Sequence, residues 1–509
     1  VIERAAQAAA NLRSLATCND GAALAARLPP HESPAAAAEV ATLREQLAAA
    51  RAHQVIGSHD EGLAITAEAL RRARALDYPP LVAEALQRTG ELQHNASAFA
   101  TAEQTFLEAY FTAEALRHDE VQLAAAVRLA YLVGVHQARH DEGLLWSRHA
   151  QALIDRGGAT VDERVVLLHS VGMIRAQQGD AQEARVLLER SLALTREHIG
   201  PDDPRAAGIL IDLGNLDNDR GEHERAQPRY EQAYAVIEAT LGPDHPLAIK
   251  ALNNLGNALR GQGRFAPARE HLDRALALAG RVLPPGHPST AIVMASLGEL
   301  LADEGRTGDA ESYFSRALTA LAAAFGADHP HVVAVSTGLG DVRRRQGKLV
   351  EARADLERAL AAAELLGATH PELVAPLSAW GDLLLAEGAL AGASAAFARA
   401  LAIVERANGP SHRHAVRPLV GLGEVALAES RTEAALGSLE RALALTTRSR
   451  VAPWLVARVQ FGLARARWEV SAARPTAAAL AREAAYVLTA AGEGHAEELV
   501  TIQRWLASR

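Results

Sequence analysis

Gly242-Pro243-Asp244-His245-Pro246, followed closely by Leu252-Asn253-Asn254-Leu255-Gly256-Asn257, is the stretch whose reading decides the fold. The first phrase returns at a fixed spacing of 42 residues, as Gly-Pro-Asp-Asp-Pro at 200–204, Pro-Pro-Gly-His-Pro at 284–288 and Gly-Ala-Asp-His-Pro at 326–330. Weaker copies stand at Gly367–Pro371 and Gly409–Arg413. A constant period of this length marks a stacked array, in which each unit buries its apolar face against its neighbours.

Further ladders keep the same register. One runs Gly172, Gly214, Gly256, Gly298, Gly340, Gly381, Gly423, each preceded by an apolar residue such as Leu213, Leu255 or Trp380. Another lies seven residues on, at Gly179, Gly221, Gly263, Gly305, Gly347 and Gly388, with Ser430 in the last copy. Small residues follow at Ala184, Ala226, Ala268, Ala310, Ala352, Ala393 and Ala435, and bulky ones one turn later at Leu188, Tyr230, Leu272, Phe314, Leu356, Phe397 and Leu439. Apolar residues at intervals of three and four build one buried stripe per helix, so the spacing predicts a helical hairpin in each copy. The first glycine removes a side chain where the two helices cross, the second ends the first helix in a left-handed conformation, and Asp/Ser-x-Pro starts the next.

A chain of 509 residues is too long for one compact core, and the repeats favour a single array over several domains. Hydrophobic residues make up 49% but aromatics only 4%, the excess being Ala and Leu, which suits helices packed closely through small side chains. A net charge of -9, with no domain-sized excess of Lys and Arg, argues against a nucleic-acid surface. The one cysteine, Cys18, excludes an internal disulfide framework and lies in a linker-like segment with no local base. No run of about 18 or more uncharged apolar residues occurs, so no membrane segment is expected in this chain.

The worn copies organise the flanks. Residues 1–33 read as an N-terminal helix and linker ending in Leu-Pro-Pro-His-Glu-Ser-Pro. Residues 34–157 hold three degenerate hairpins, marked by Gly57 with Glu61-Gly62-Leu63, Gly90 with Ala102, and Ala130 with Gly143-Leu144. Residues 158–449 are the regular repeats, and 450–509 a worn terminal repeat with a capping helix. The chain opens on Val1 inside a helical pattern, which reads as a fragment or processed product.

This pattern resembles the tetratricopeptide repeat, and its 42-residue form with Gly-Pro-Asp-His-Pro and Leu-Asn-Asn-Leu-Gly-Asn is similar to the repeats of kinesin light chains and their bacterial relatives. The resemblance implies an all-α fold, a right-handed superhelical solenoid of helical hairpins whose first helices line a concave groove. A narrower resemblance lies in Val1 to Asp20, the Pro-Pro linker and Asp77-Tyr78-Pro79-Pro80-Leu81-Val82-Ala83-Glu84-Ala85. These look like the region after the catalytic domain in large myxobacterial serine/threonine protein kinases. None of the kinase's catalytic motifs is present, so no catalytic residue carries over.

Other constellations read as structure. Gly421-Leu-Gly423-Glu-Val-Ala426 imitates a dinucleotide-binding turn but lacks its strand, and Gly423 is the crossing glycine of its repeat. His136 and His140 sit four apart on an expected helix, yet Gln137 stands where a zinc protease needs Glu. His245, His287, His329, His370 and His412 form a ladder of turn positions about 10 Å apart, too far to share a metal, and are expected to cap or line the turn. No cofactor, metal or catalytic group is expected, and the chain itself is not read as an enzyme.

The expected binding site is the groove, at positions three before, one after and four after the crossing glycine. These read Asn215, Asn218, Asn253, Asn257, Arg260, Glu299, Thr337, Asp341 and Arg344, with Lys250 nearby and Asp382 and Glu424 in later copies. Asparagines hold the backbone of an extended peptide whatever its sequence, and Lys250, Arg260 and Arg344 select a ligand bearing carboxylates. The expectation is a scaffold for proteins or peptides, monomeric or weakly self-associating, forming the regulatory half of a bacterial serine/threonine kinase. A stand-alone adaptor and the sensor half of a transcription regulator are the alternatives; the latter calls for a basic recognition helix that neither terminus shows. The compartment expected is the cytoplasm, or outside it if a membrane span precedes the repeats in a longer parent.

Overall fold

The computed structural model describes residues 33–509 apart from 57, 97, 158, 449–450 and 492–494. The helix and linker expected over 1–33, Cys18 included, fall outside these residues except for Ser33, as does Gly57. All regular structure among the described residues is helical, and the chain divides into two compact units, Val1–Pro201 and Asp202–Arg509. No helix among the described residues is long and apolar enough to cross a membrane.

The first unit holds four antiparallel hairpins: α1 (Pro34–Ile56) with α2 (His59–Ala75), α3 (Pro79–Asn95) with α4 (Phe99–Leu116), α5 (Asp119–Tyr131) with α6 (His140–Arg156), and α7 (Val161–Gln177) with α8 (Ala181–His198). The third is irregular, because α5 runs on into a π turn at Leu132–His136. That extra winding moves the helix crossing from the expected Ala130 to Gly134, where a Cβ built on Gly143 would stand 2.3 Å from the Gly134 Cα. The two backbones touch, which only a pair of glycines permits. Ala138 then takes a φ of 55°, breaking the chain before α6, so His136 and His140 do not share a helix as their spacing suggests. His136 stacks on Phe99 with ring centroids 4.5 Å apart, and His140 hydrogen-bonds Gln177 at 3.1 Å.

The second unit repeats one hairpin seven times. The pairs are α9 (Pro204–Asp219) and α10 (His223–Leu241), α11 (Leu247–Gly261) and α12 (Phe265–Val282), α13 (Pro288–Asp303) and α14 (Thr307–Phe325), and α15 (Pro330–Arg345) and α16 (Leu349–Glu364). They continue with α17 (Val374–Ala386) and α18 (Leu390–Asn408), α19 (Val416–Ala428) and α20 (Thr432–Arg448), and α21 (Pro453–Trp468) and α22 (Arg474–Ala491), closed by α23 (Ala496–Ala507). At the first six crossings the bulky residue of the second helix fills the notch left by the glycine: a Cβ on Gly214 would meet the Tyr230 ring at 2.5 Å, and one on Gly256 the Leu272 Cγ at 2.6 Å. Gly423 is packed the same way against Leu439 at 2.5 Å, and Gly421 against Phe397 of the preceding hairpin at 2.3 Å, which accounts for both glycines of the dinucleotide-like motif. Burying such a ring contributes about 2–3 kcal/mol.

The helix ends follow the ladders. The second glycine is left-handed in every copy, and Ser430, which replaces it, adopts the same conformation with φ 58°. The histidine ladder is a row of N-caps: Nδ1 of His245, His287, His329, His370 and His412 each accepts the backbone N–H two residues on, at 3.1–3.3 Å. In the first copy Asp203 takes that role, accepting from the Arg205 amide at 2.9 Å. At the far end α23 packs Ile502 against Leu488 and Ala457, with Trp505 edge-on to Trp468 at 5.4 Å.

Candidate functional site

Within Asp202–Arg509 the first helices of successive hairpins pack on one another, so their polar positions fall along one inner face. The residue after the crossing glycine reaches the next first helix. Asn215 Oδ1 accepts from Asn254 Nδ2 at 2.9 Å and also from the Tyr230 hydroxyl at 2.9 Å, while Asn257 Nδ2 donates to Ser296 Oγ at 3.0 Å. Asn218 Oδ1 lies 2.8 Å from His223 Nδ1. Asn253 and Thr337, three before the glycine, are buried between helices rather than exposed, Asn253 donating to Asn254 Oδ1 at 3.3 Å and Thr337 to the Val333 carbonyl at 2.8 Å. The asparagines are therefore rungs between repeats. Two acceptors remain over, since Asn253 Oδ1 and Asn257 Oδ1 are buried with no donor among the described residues.

The charged positions form a second ladder. Arg260 pairs with Glu299 at 2.7 Å and with Asp303 at 3.4 Å, and Lys250, half exposed, lies 3.7 Å from Asp212. Asp341 is shared by Arg344 at 3.2 Å and Arg417 at 2.6 Å. Arg417 also reaches Asp382 at 2.7 Å; Arg458 joins Asp382, again at 2.7 Å, to Glu424. Acid and base thus alternate across α15, α17, α19 and α21. Burial pushes the Asp341 and Asp382 carboxyls up, but the guanidinium groups of Arg417, Arg344 and Arg458 outweigh it and hold both below the usual carboxylate range.

The same face is closed from the other side by the end of the chain. Trp454 Nε1 donates to Asp303 Oδ1 at 3.0 Å, His495 Nε2 hydrogen-bonds the Asp303 carbonyl at 2.9 Å, and Arg413 reaches His223 at 2.7 Å. A cavity of about 500 Å³ remains between the ion-pair ladder and α23, lined by Arg344, Asp382, Trp454, Glu498, Thr501 and Ile502 among others.

The sequence reading placed Asp341, Arg344, Asp382 and Glu424 on this face but missed Arg417, Arg458 and Trp454, which supply its other half. A signal for the arginines was present: Arg417 and Arg458 stand 41 residues apart, as do Asp341 and Asp382. No such signal marked Trp454, which belongs to the worn last repeat.

The Tetratricopeptide repeat family matches the chain in six overlapping windows, 163–238, 205–281, 252–323, 289–364, 332–406 and 372–448, together more than half of its length. Among solved structures, a Rap protein complexed with competence and sporulation factor is similar over 80% of this chain and 98% of its own, at 13% identity and a TM-score of 0.55. A putative kinesin light chain of Podosopora anserina with nearly identical TPR-like repeats is 22% identical over 40% of this chain and 98% of its own, with a TM-score of 0.33. BtubC (BKLC) from P. vanneervenii is 21% identical over 50% and 94%, with a TM-score of 0.36. At such identities the likeness concerns the fold alone. No curated protein matches the sequence.

Proposed function

The chain belongs to the tetratricopeptide-repeat family, and from that premise we propose that it is a scaffold that takes up segments of partner proteins on the inner face of Asp202–Arg509. One observation carries the reading: this face already holds protein, since Trp454, His495 and α23 of the same chain are seated on it through Asp303 and the cavity beside Arg344. Lys250, half exposed on this face, adds a cation for an acidic partner. The full set of groove residues named from the sequence stays part of the proposal, with Asn215, Asn218 and Thr337 acting by shaping the face.

The resemblance of the front of the chain to the region behind a myxobacterial kinase domain supports a finer reading, in which the array is the regulatory, substrate-recruiting half of a serine/threonine kinase. Capture from the source cell with the immobilised full chain tests the scaffold. Lys250→Ala combined with Asn257→Ala, which leaves the Tyr230 contact of Asn215 intact, is expected to deplete the captured proteins about tenfold; recovery of the same proteins in the same amounts refutes the face. For the kinase, the coding sequence before Val1 should encode a Gly-rich loop, a strand Lys and a His-Arg-Asp motif. A start codon there instead leaves a stand-alone adaptor.

A further inference from the structure

Between α6, α7 and α8 of the first unit lies a cavity of about 730 Å³, open to solvent along one side. Its floor is aliphatic: Leu144 on α6, Leu168 and Val171 on α7, and Leu187 and Leu194 on α8 are only half-buried there. Arg148, Arg164 and Arg190, one from each helix, stand exposed around it, and none makes an ion pair or a side-chain hydrogen bond with another described residue. Arg175 also lines the cavity but is held by Glu183 at 3.0 Å, and Asp141 is the one carboxylate among the lining residues. Three uncommitted guanidinium groups over an apolar floor are conspicuous in a chain of net charge -9, where arginines elsewhere are mostly paired.

The spacing says what fits. On α7 the lining residues are Arg164, Leu168, Val171 and Arg175 with Leu167 beside them, and on α8 Leu187, Arg190 and Leu194, each one stripe of a helix. The α7 stripe spans 12 residues, Arg164 to Arg175, or about 16 Å at the α-helical rise. Parallel stripes with an open side form a trough for another helix, whose outer side stays solvated, whereas a small ligand calls for enclosure on most sides. Arg148 and Arg190 occupy opposite walls, so acidic residues are favoured on both flanks of the incoming apolar stripe. We infer that this trough is a second docking site, taking an amphipathic partner helix of about three turns with a leucine-type stripe flanked by carboxylates.

The full chain titrated with a fluorescent amphipathic peptide of about 14 residues, Leu-striped and Glu-flanked, is expected to give saturable anisotropy. Arg148→Glu/Arg164→Glu/Arg190→Glu should weaken it at least about tenfold, as should raising NaCl from about 0.05 to 0.5 M. All three arginines are exposed, so the variant should keep the parent's circular dichroism and melting temperature; Leu187→Asp supplies an independent loss through the floor. Equal binding of a Lys-flanked peptide, undiminished binding by the triple variant, or uptake of dodecyl phosphate with no binding of the Glu peptide would each overturn the inference. Lys250→Ala/Asn257→Ala should leave the peptide titration unchanged, which keeps this site's failure separate from that of the inner face.

Discussion

Arg413 donates an Nη1–H to Nε2 of His223 at 2.7 Å although 190 positions separate them. Arg413 stands where the better copies of the phrase have proline, so the departure from the repeat makes the contact. Because His223 Nε2 accepts, its Nδ1 carries the proton and donates to Asn218 Oδ1 at 2.8 Å, which gives Asn218 the task of setting the tautomer. Arg413→Ala is expected to cost about 1–2 kcal/mol. Hydrogen exchange should accelerate at 221–226 and 409–416 while 330–345 stays protected; uniform acceleration would contradict a local hook.

Gly214→Ala would drive a methyl group to 2.5 Å from the Tyr230 ring. Overpacking of this kind costs about 1–3 kcal/mol. Gly437→Ala is its counterpart, because that helical glycine is exposed and has nothing within 4 Å of its Cβ position. It should raise stability by about 0.5–1 kcal/mol. Paired thermal melts read the opposite signs.

Asp382 is held by both Arg417 and Arg458, and its side chain is 1% exposed. Asp382→Asn leaves Arg417 and Arg458 facing each other with half their compensation, at a cost of about 3 kcal/mol. With its carboxyl held below the usual range, Asp382 contributes stability above the ordinary carboxylate pKa and loses it as pH falls through the lowered value. The variant should therefore flatten the acid end of the stability curve.

A second acid window lies higher. Burial, with help from His136 and Arg128, lowers the His94 imidazole to about 4, and burial beside Arg413 and His412 lowers that of His414 to about 3. The unfolded chain then takes up these protons first. Stability is full above the ordinary histidine pKa, falls as pH drops towards the lowered values, and levels off below them. His94 accounts for up to about 3 kcal/mol of this. An NMR titration should place its midpoint near 4; a midpoint at the ordinary value would remove the effect.

The hairpins were legible because each rests on contacts inside one period: Gly214 against Tyr230, Ser430 in place of a left-handed glycine, His287 at a helix start. The roles of Asn215 and Asn257 were not, since an asparagine bonding the next first helix has the same sequence register as one pointing into a groove. Gly134 was missed because a π turn moves the crossing off the count. Closure of the inner face was missed for a different reason: Arg413 and Trp454 act once each, and periodicity carries no information about a contact made once.

The hook between Arg413 and His223 also makes unit number a measured quantity. An open stack tolerates gain or loss of a whole copy, since every interface is between neighbours. Here, deleting one copy between α15 and α18 would leave each remaining interface intact yet carry Arg413 away from His223 and Trp454 from Asp303. Array length in the second unit is thereby checked chemically, and duplication, the ordinary way such genes grow, would be penalised there.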